Sequence, residues 1–282
     1  MHCAAACASG MVQGMNRYLP SPKAIGLSCS LFVASAISLA EAPSPGALAA
    51  FNVYIITVEE RLVRQHQTPA GFLAIPPQLS AQLHGGQPIV EQLTPAAGIS
   101  LPGAMLHHWR GTAFVPGATV KDFELLMKDF SAYPQRFSPQ VERTVVLAQH
   151  DDHLQVFMRV RQKHVITVVM DARYDVLFRQ LDRRHGYSIS RSSSIAEIDS
   201  PGTAKEHPLS AAEEHGFLWR QNSYWSYEER DGGLYMQIES VSLSRAIPTG
   251  LGWAVRPFVE SVPRESMEFT LQATCNALKG RR

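Results

Sequence analysis

The run Gln149-His150-Asp151-Asp152-His153 gathers two imidazoles and two carboxylates, the side chains that hold divalent metals. A metal needs ligands that converge, and neighbours in such a run point apart. The run also separates two strand-like segments, where Asp-Asp makes a polar turn, so a hairpin is expected here and a metal site is not. His107-His108 lies in another strand-like segment; adjacent strand residues face opposite ways, so this pair is not expected to chelate either. There is no Gly-x-Ser-x-Gly elbow, no Cys–His pairing and no His-Glu-x-x-His helix. Gly250-Leu251-Gly252 lacks the third glycine and the strand–helix unit of a dinucleotide site, and is expected to ease the chain into its final helix. No cofactor is expected.

Binding chemistry has better candidates. Arg191 shares strand parity with Tyr187, Ile189, Ser193 and Ile195, so a regular strand aims it into the apolar interior. A guanidinium buried without a partner is costly. Its partner is then a ligand carboxylate or phosphate, or a protein carboxylate such as Glu239, unless a bulge turns it outward. Glu239 itself sits with Tyr235, Val241 and Leu243, while Met236 and Ile238 take the other parity, and the pattern does not choose between the faces. If it points inward, it is a candidate acid or base, or one half of an ion pair. Trp219, Trp225 and Tyr227 align with Phe217, Gln221 and Ser223, a surface that suits a flat apolar ligand or ordinary core packing. Met170 and Tyr174 either line a cavity or fill it, and Trp253 and Phe258 form either a cavity mouth or a plug.

The elements that position these residues can be read from periodicity. Phe51, Tyr54, Val58 and Leu62 recur at helical steps from Ala47 onward, with Glu59, Glu60, Arg61 and Arg64 on the other face. Residues 66–88 are rich in Gln, Pro and Gly and read as a loosely ordered connection. Strands are predicted over 88–93 and 105–114, and a helix follows on Phe123, Leu126, Met127 and Phe130. Further strands are predicted over 141–147, 154–161, 166–178, 187–198, 217–229 and 234–245, the last two joined by Arg230-Asp231-Gly232-Gly233. Their alternation predicts an antiparallel sheet with one face buried and one wet. A closing helix carries Met267, Leu271, Thr274, Cys275 and Leu278 on one stripe, with Ser261 as its cap and Pro263 in its first turn.

Ala118-Thr119-Val120-Lys121-Asp122-Phe123 followed by Asp129-Phe130-Ser131-Ala132-Tyr133-Pro134 is similar to the first helix and "D-x-x-x-Y-P" ending of the START-like superfamily of polyketide cyclases, dehydrases and lipid-transfer proteins. Ser138-Pro139-Gln140-Val141 with Val145-Val146-Leu147 resembles the family's next strand, and Pro257-Phe258-Val259 through Val262-Pro263-Arg264-Glu265-Ser266 to Leu278 its last helix. The resemblance covers about residues 88–278. It implies an α+β helix-grip fold, a curved antiparallel sheet around a long C-terminal helix, here with an N-terminal helical extension at 41–87. It also implies a cavity for a lipid, polyketide, quinone or sterol-like molecule, while leaving catalysis open because most members bind or carry. On this reading Met170, Tyr174, Tyr187, Arg191, Trp219, Trp225, Tyr227, Glu239, Trp253 and Phe258 are the ligand-binding candidates. The alternatives are a cyclase or dehydrase using Glu239, Tyr174 or Tyr224 for proton transfer, and an interaction module with a collapsed cavity.

Arg17 and Lys23 precede an apolar run from Ala24 to Ala40 ending in Ser38-Leu39-Ala40, the pattern of a secretory signal over residues 1–40. A periplasmic or extracellular protein is expected, with an uncleaved membrane anchor as the rival. Cys3, Cys7 and Cys29 fall inside that segment, so Cys275 would remain alone and no disulfide framework is expected. Of 282 residues, 45% are hydrophobic and 18% charged, as in folded domains. Lys+Arg 26 against Asp+Glu 25 gives +1, so no global field recruits nucleic acid, and any membrane contact is expected to be transient.

Overall fold

Ser44 begins the first helix by accepting the Ala47 N–H at 3.1 Å, with Pro45 placed where no N–H is needed. The computed structural model describes residues 42–68, 71–163, 167–246 and 252–280, with the backbone alone given for 252–260. Its helices are α1 (Pro45–His66), α2 (Ser80–His84), α3 (Val120–Lys128), α4 (Tyr133–Arg136) and α5 (Gly252–Lys279). The strands are β1 (Ile89–Gln92), β2 (Ile99–Leu101), β3 (Ala104–Pro116), β4 (Val141–His150), β5 (His153–Lys163), β6 (Thr167–Gln180), β7 (His185–Asp199), β8 (His207–Pro208), β9 (Arg220–Arg230) and β10 (Gly233–Arg245). None of the described helices is long and apolar enough to cross a membrane.

All strand pairs are antiparallel, in the order β1-β3-β10-β9-β7-β6-β5-β4, with β2 added to β3 and β8 to β7. The β9–β10 hairpin turns at Asp231 and Gly232, whose φ of 54° and 73° are the two left-handed positions of a type I′ turn. The β4–β5 hairpin turns at Asp151 and Asp152, the polar turn expected from the sequence; His150 and His153 pair across it as strand residues.

The sheet has helices on both faces. On the inner face, Trp109, Ala113 and Val115 of β3 and Met236 and Ile238 of β10 pack with Phe123 and Leu126 of α3 and Met267, Leu271, Cys275 and Leu278 of α5. A capping box between Thr119 and Asp122 starts α3. Gly111 of β3 lets α5 lie close: a Cβ there would stand 2.6 Å from Leu271 Cδ1 and 2.9 Å from Met267 Sδ. The strand–helix–strands–helix order implied by the sequence resemblance is present as β3, α3, β4 to β10 and α5.

On the outer face, Ala47, Phe51, Ile55, Val58 and Leu62 of α1 cover Leu106, Tyr224, Val241 and Leu243. Burying four large α1 side chains contributes roughly 6–12 kcal/mol before entropy is counted. Residues 71–84 are not a loose connection: Phe72, Leu73 and Leu83 pack on Phe114 and Tyr235 of the same face. The expected wet face is therefore absent from β3, β9 and β10, whose residues of both parities are buried along much of their length. It survives in β4, which is mostly exposed.

Candidate functional site

A cavity of about 440 Å³ lies between the inner face and α5. Its lining includes His107 and Trp109 of β3, Ser240, Ser242 and Ser244 of β10, Gln221 of β9, Met170 and Tyr174 of β6, Met158 and Val160 of β5, and Val262, Ser266, Met267 and Thr270 of α5. In the sheet order β3 and β5 are five strands apart, ~24 Å along a flat sheet. Both border one small cavity, so the sheet must be strongly curved.

The lining combines polar and apolar side chains. Gln221 accepts from the Tyr174 hydroxyl at 3.1 Å and donates to Ser240 Oγ at 3.3 Å. Burial pushes the Tyr174 hydroxyl well above the ordinary phenol range, so it stays protonated and donates. Met158, Val160, Val168, Met170 and Met267 complete the lining, with Gln162 donating to Ser266 Oγ at 2.9 Å.

The rim segment His215-Gly216-Phe217-Leu218 also lines the cavity. It is held by Glu197 of β7, which is 4% exposed. One carboxylate oxygen of Glu197 accepts the Gly216 and Phe217 N–H groups at 2.9 and 3.1 Å. The other accepts the His215 N–H at 3.1 Å and lies 2.8 Å from His215 Nδ1. Sequence periodicity gave no sign of this clamp, because one buried carboxylate in a strand looks like any polar residue on a wet face.

A second polar cluster sits behind the sheet. Glu239, 1% exposed, pairs with Arg61 of α1 and with Arg110 Nε and Nη2 at 3.0 Å each. His108 Nε2 lies 2.8 Å from Glu239 Oε2; with its proton aimed at the carboxylate, Nδ1 accepts from the Tyr54 hydroxyl at 3.0 Å. Burial alone would raise the Glu239 carboxyl, but the His108 hydrogen bond and the charges of Arg110 and Arg61 hold it down at about 2. His66, at the end of α1, is lowered to about 4 by burial and by the charge of Arg61.

The ten residues singled out from the sequence do not assemble into one surface. Met170 and Tyr174 line the cavity. Trp225 and Tyr227 lie in the filled core beneath α3, where Phe123 packs on both, and the Tyr227 hydroxyl donates to Glu124 at 2.9 Å. Tyr187, Arg191, Trp219 and Glu239 lie on the α1 side of the sheet. Tyr187 stacks on His66 at 4.7 Å, and Trp219 belongs to the α1 cluster. Arg191 makes a bidentate pair with Glu59 of α1, both bonds 2.7 Å, so its partner is a protein carboxylate other than Glu239. The side chains of Trp253 and Phe258 lie outside the described residues.

Two physical causes separate expectation from structure. The β6–β7 register steps from Arg173↔Ser194 to Tyr174↔Ser192, leaving Ser193 as a bulge. Ile195, across from Ala172, therefore faces inward, whereas Arg191 and Ile189 of the same numerical parity face α1. Helix α1 also buries the second face, so apolar parity no longer marks the inside. Glu59 and Arg61, assigned to the solvent side of α1, reach back to Arg191 and Glu239. Of the three acid–base candidates, Glu239 and Tyr224 face α1, the Tyr224 hydroxyl donating to Glu59 at 3.0 Å; Tyr174 alone of the three borders the cavity. The two histidines separate as expected, His107 to the cavity and His108 to Glu239. No group of three or more metal-ligating side chains occurs among the described residues.

No family model matches the chain, and no curated protein does. Solved structures are similar in the course of the chain. A START superfamily protein from Mycobacterium smegmatis is 14% identical, with 62% of this chain and 99% of that one covered and a TM-score of 0.43. The Zhui aromatase/cyclase from Streptomyces sp. R1128 is 15% identical, covering 62% and 95% at a TM-score of 0.43. A STAR-related lipid transfer protein from Xanthomonas axonopodis is 14% identical, covering 65% and 98% at a TM-score of 0.40. In each case the likeness leaves about a third or more of the present chain uncovered.

Proposed function

We propose that the protein binds or carries a hydrophobic small molecule, of lipid, quinone or polyketide-like character, in the cavity beneath α5, and that it does so outside the cytoplasm. One observation carries the reading: an otherwise filled inner core keeps about 440 Å³ of space lined in part by methionine and valine. That volume falls within the ~300–1,000 Å³ of small-molecule sites. Burying ~300 Å² of apolar ligand surface at ~25 cal/mol per Å² yields roughly 7–8 kcal/mol, from which the cost of association is subtracted. The site outside the cytoplasm rests on the cationic flank and apolar run of residues 17–40.

Native mass spectrometry of protein isolated from its own compartment tests the binding. A copurified apolar molecule, displaced in the cavity-filling variant Met170→Trp, is the expected result. Absence of any adduct, together with no saturable uptake of N-phenyl-1-naphthylamine, would remove the reading. N-terminal sequencing of protein from the non-cytoplasmic fraction tests export: a mature start near residue 41 is expected, and an intact chain confined to the cytoplasm refutes it.

A further inference from the structure

A row of polar side chains runs along β10 at the cavity. Ser240, Ser242 and Ser244 occupy alternate positions of β10, so they share a face and repeat every ~7 Å over ~14 Å of strand. Neighbouring strands widen the row: Trp109 stands opposite Ser240, and His107 and Gln221 flank Ser242 on either side. Ser242 and Ser244 make no side-chain hydrogen bond among the described residues, and the indole Nε1 of Trp109, a residue 7% exposed, has no partner there either. Hydroxyls left unused at a cavity wall favour hydrogen-bonding groups on whatever fills it. Met158, Val160, Met170 and Met267 supply apolar lining elsewhere in the cavity, and the Gln162 and Ser266 side chains near them are already joined to each other at 2.9 Å.

Resting on the binding reading above, we infer that the ligand is facially amphipathic: a rigid apolar skeleton with several hydroxyl or carbonyl oxygens along one side. A single-headed alkyl chain would satisfy one end of the cavity and leave most of the serine row facing hydrocarbon. A skeleton with oxygens several ångströms apart on one face meets the β10 row and leaves its bare face to Met158, Met170 and Met267.

Isothermal titration with cholate, lithocholate and palmitate tests this, because the two steroids share a skeleton and a carboxylate and differ in the hydroxyls on one face. Cholate is expected to bind at least tenfold more tightly than lithocholate. The variant Ser240→Ala/Ser242→Ala/Ser244→Ala is expected to bring that ratio to within twofold, chiefly by weakening cholate. Should the triple variant not fold, Ser242→Ala alone is expected to lower the ratio at least threefold. Saturable binding of lithocholate or palmitate equal to or tighter than that of cholate in the unaltered protein would overturn this inference and leave the binding reading standing. No binding of any probe, with no copurified molecule, would remove both.

Discussion

Replacing Glu197 with alanine should loosen the cavity rim without unfolding the sheet. Its carboxylate takes three backbone N–H groups from His215, Gly216 and Phe217 and the ring of His215, all within 3.1 Å. Hydrogen bonds to a charged group contribute about 1.5–3 kcal/mol each, and a buried donor left unpaired costs ~1–3 kcal/mol. If the segment stayed closed over an alanine, the three N–H groups alone would cost roughly 3–9 kcal/mol. A rim segment has a cheaper route, which is to open and let water take the donors, so most of the loss should appear as local opening. A fall of even ~3 kcal/mol in opening free energy speeds amide exchange by roughly a hundredfold. Hydrogen exchange read by mass spectrometry over residues 209–219 should therefore rise by about two orders of magnitude in Glu197→Ala. Exchange in β3 and β10 should stay slow. In Glu197→Gln the rise should be smaller, since one oxygen still accepts while the amide NH2 opposes a backbone N–H. Unchanged exchange at 209–219 in the alanine variant would refute the clamp, and a uniform rise along the chain would show that Glu197 serves global stability instead.

Acid should destabilise the protein in two stages. His66 is held at about 4 against an ordinary 6.5, so the unfolded chain takes up that proton first, and stability falls as pH drops from about 6.5 towards 4. Glu239 is held at about 2 against 4.5, so its contribution is complete above pH 4.5 and is lost as pH falls towards 2. Denaturant midpoints measured from pH 7 to 2.5 should show both falls, and His66→Phe should flatten only the first. Gly111→Val should disturb the packing of α5, because the new Cβ alone falls on Leu271 and Met267; a loss of at least ~2 kcal/mol by urea titration, with weaker ligand uptake, is expected. Arg191→Ala, by contrast, removes a pair whose guanidinium side is 44% exposed, and should cost no more than ~1 kcal/mol and leave ligand uptake unchanged. Reduced uptake in that variant would show that Arg191 reaches the ligand after all.

The sheet was legible because its signals are local. Alternation in β5 and β6, the Asp231-Gly232 turn and the stripe of Met267, Leu271 and Leu278 each depend on residues a few positions apart. The site was not, because its signals are distant or ambiguous. Tyr235, Val241 and Leu243 are as apolar as Met236 and Ile238, and only the docking of α1 and of residues 71–84 explains why both sets are buried. Ser240, Ser242 and Ser244 share the parity of Met236 and Ile238, and alternation alone does not choose between the two faces, whereas in the fold they border the cavity. Around Arg191 the chain runs Ser190, Ser192, Ser193 and Ser194, with no apolar alternation to pin the register, so nothing announced the bulge that turns Ile195 inward.

The cover that α1 and residues 71–84 lay over β3, β9 and β10 bears on where this molecule can be cut. A fragment begun at residue 88, where the resemblance starts, would present two greasy patches to water, Leu106, Tyr224, Val241 and Leu243 in one and Phe114 and Tyr235 in the other. It would also strip Arg61 and Tyr54 from the Glu239 cluster. Such a fragment should clump or be degraded, however intact its ligand chamber, and a version of the chain that retains α1 with its Ser44 cap keeps this cover.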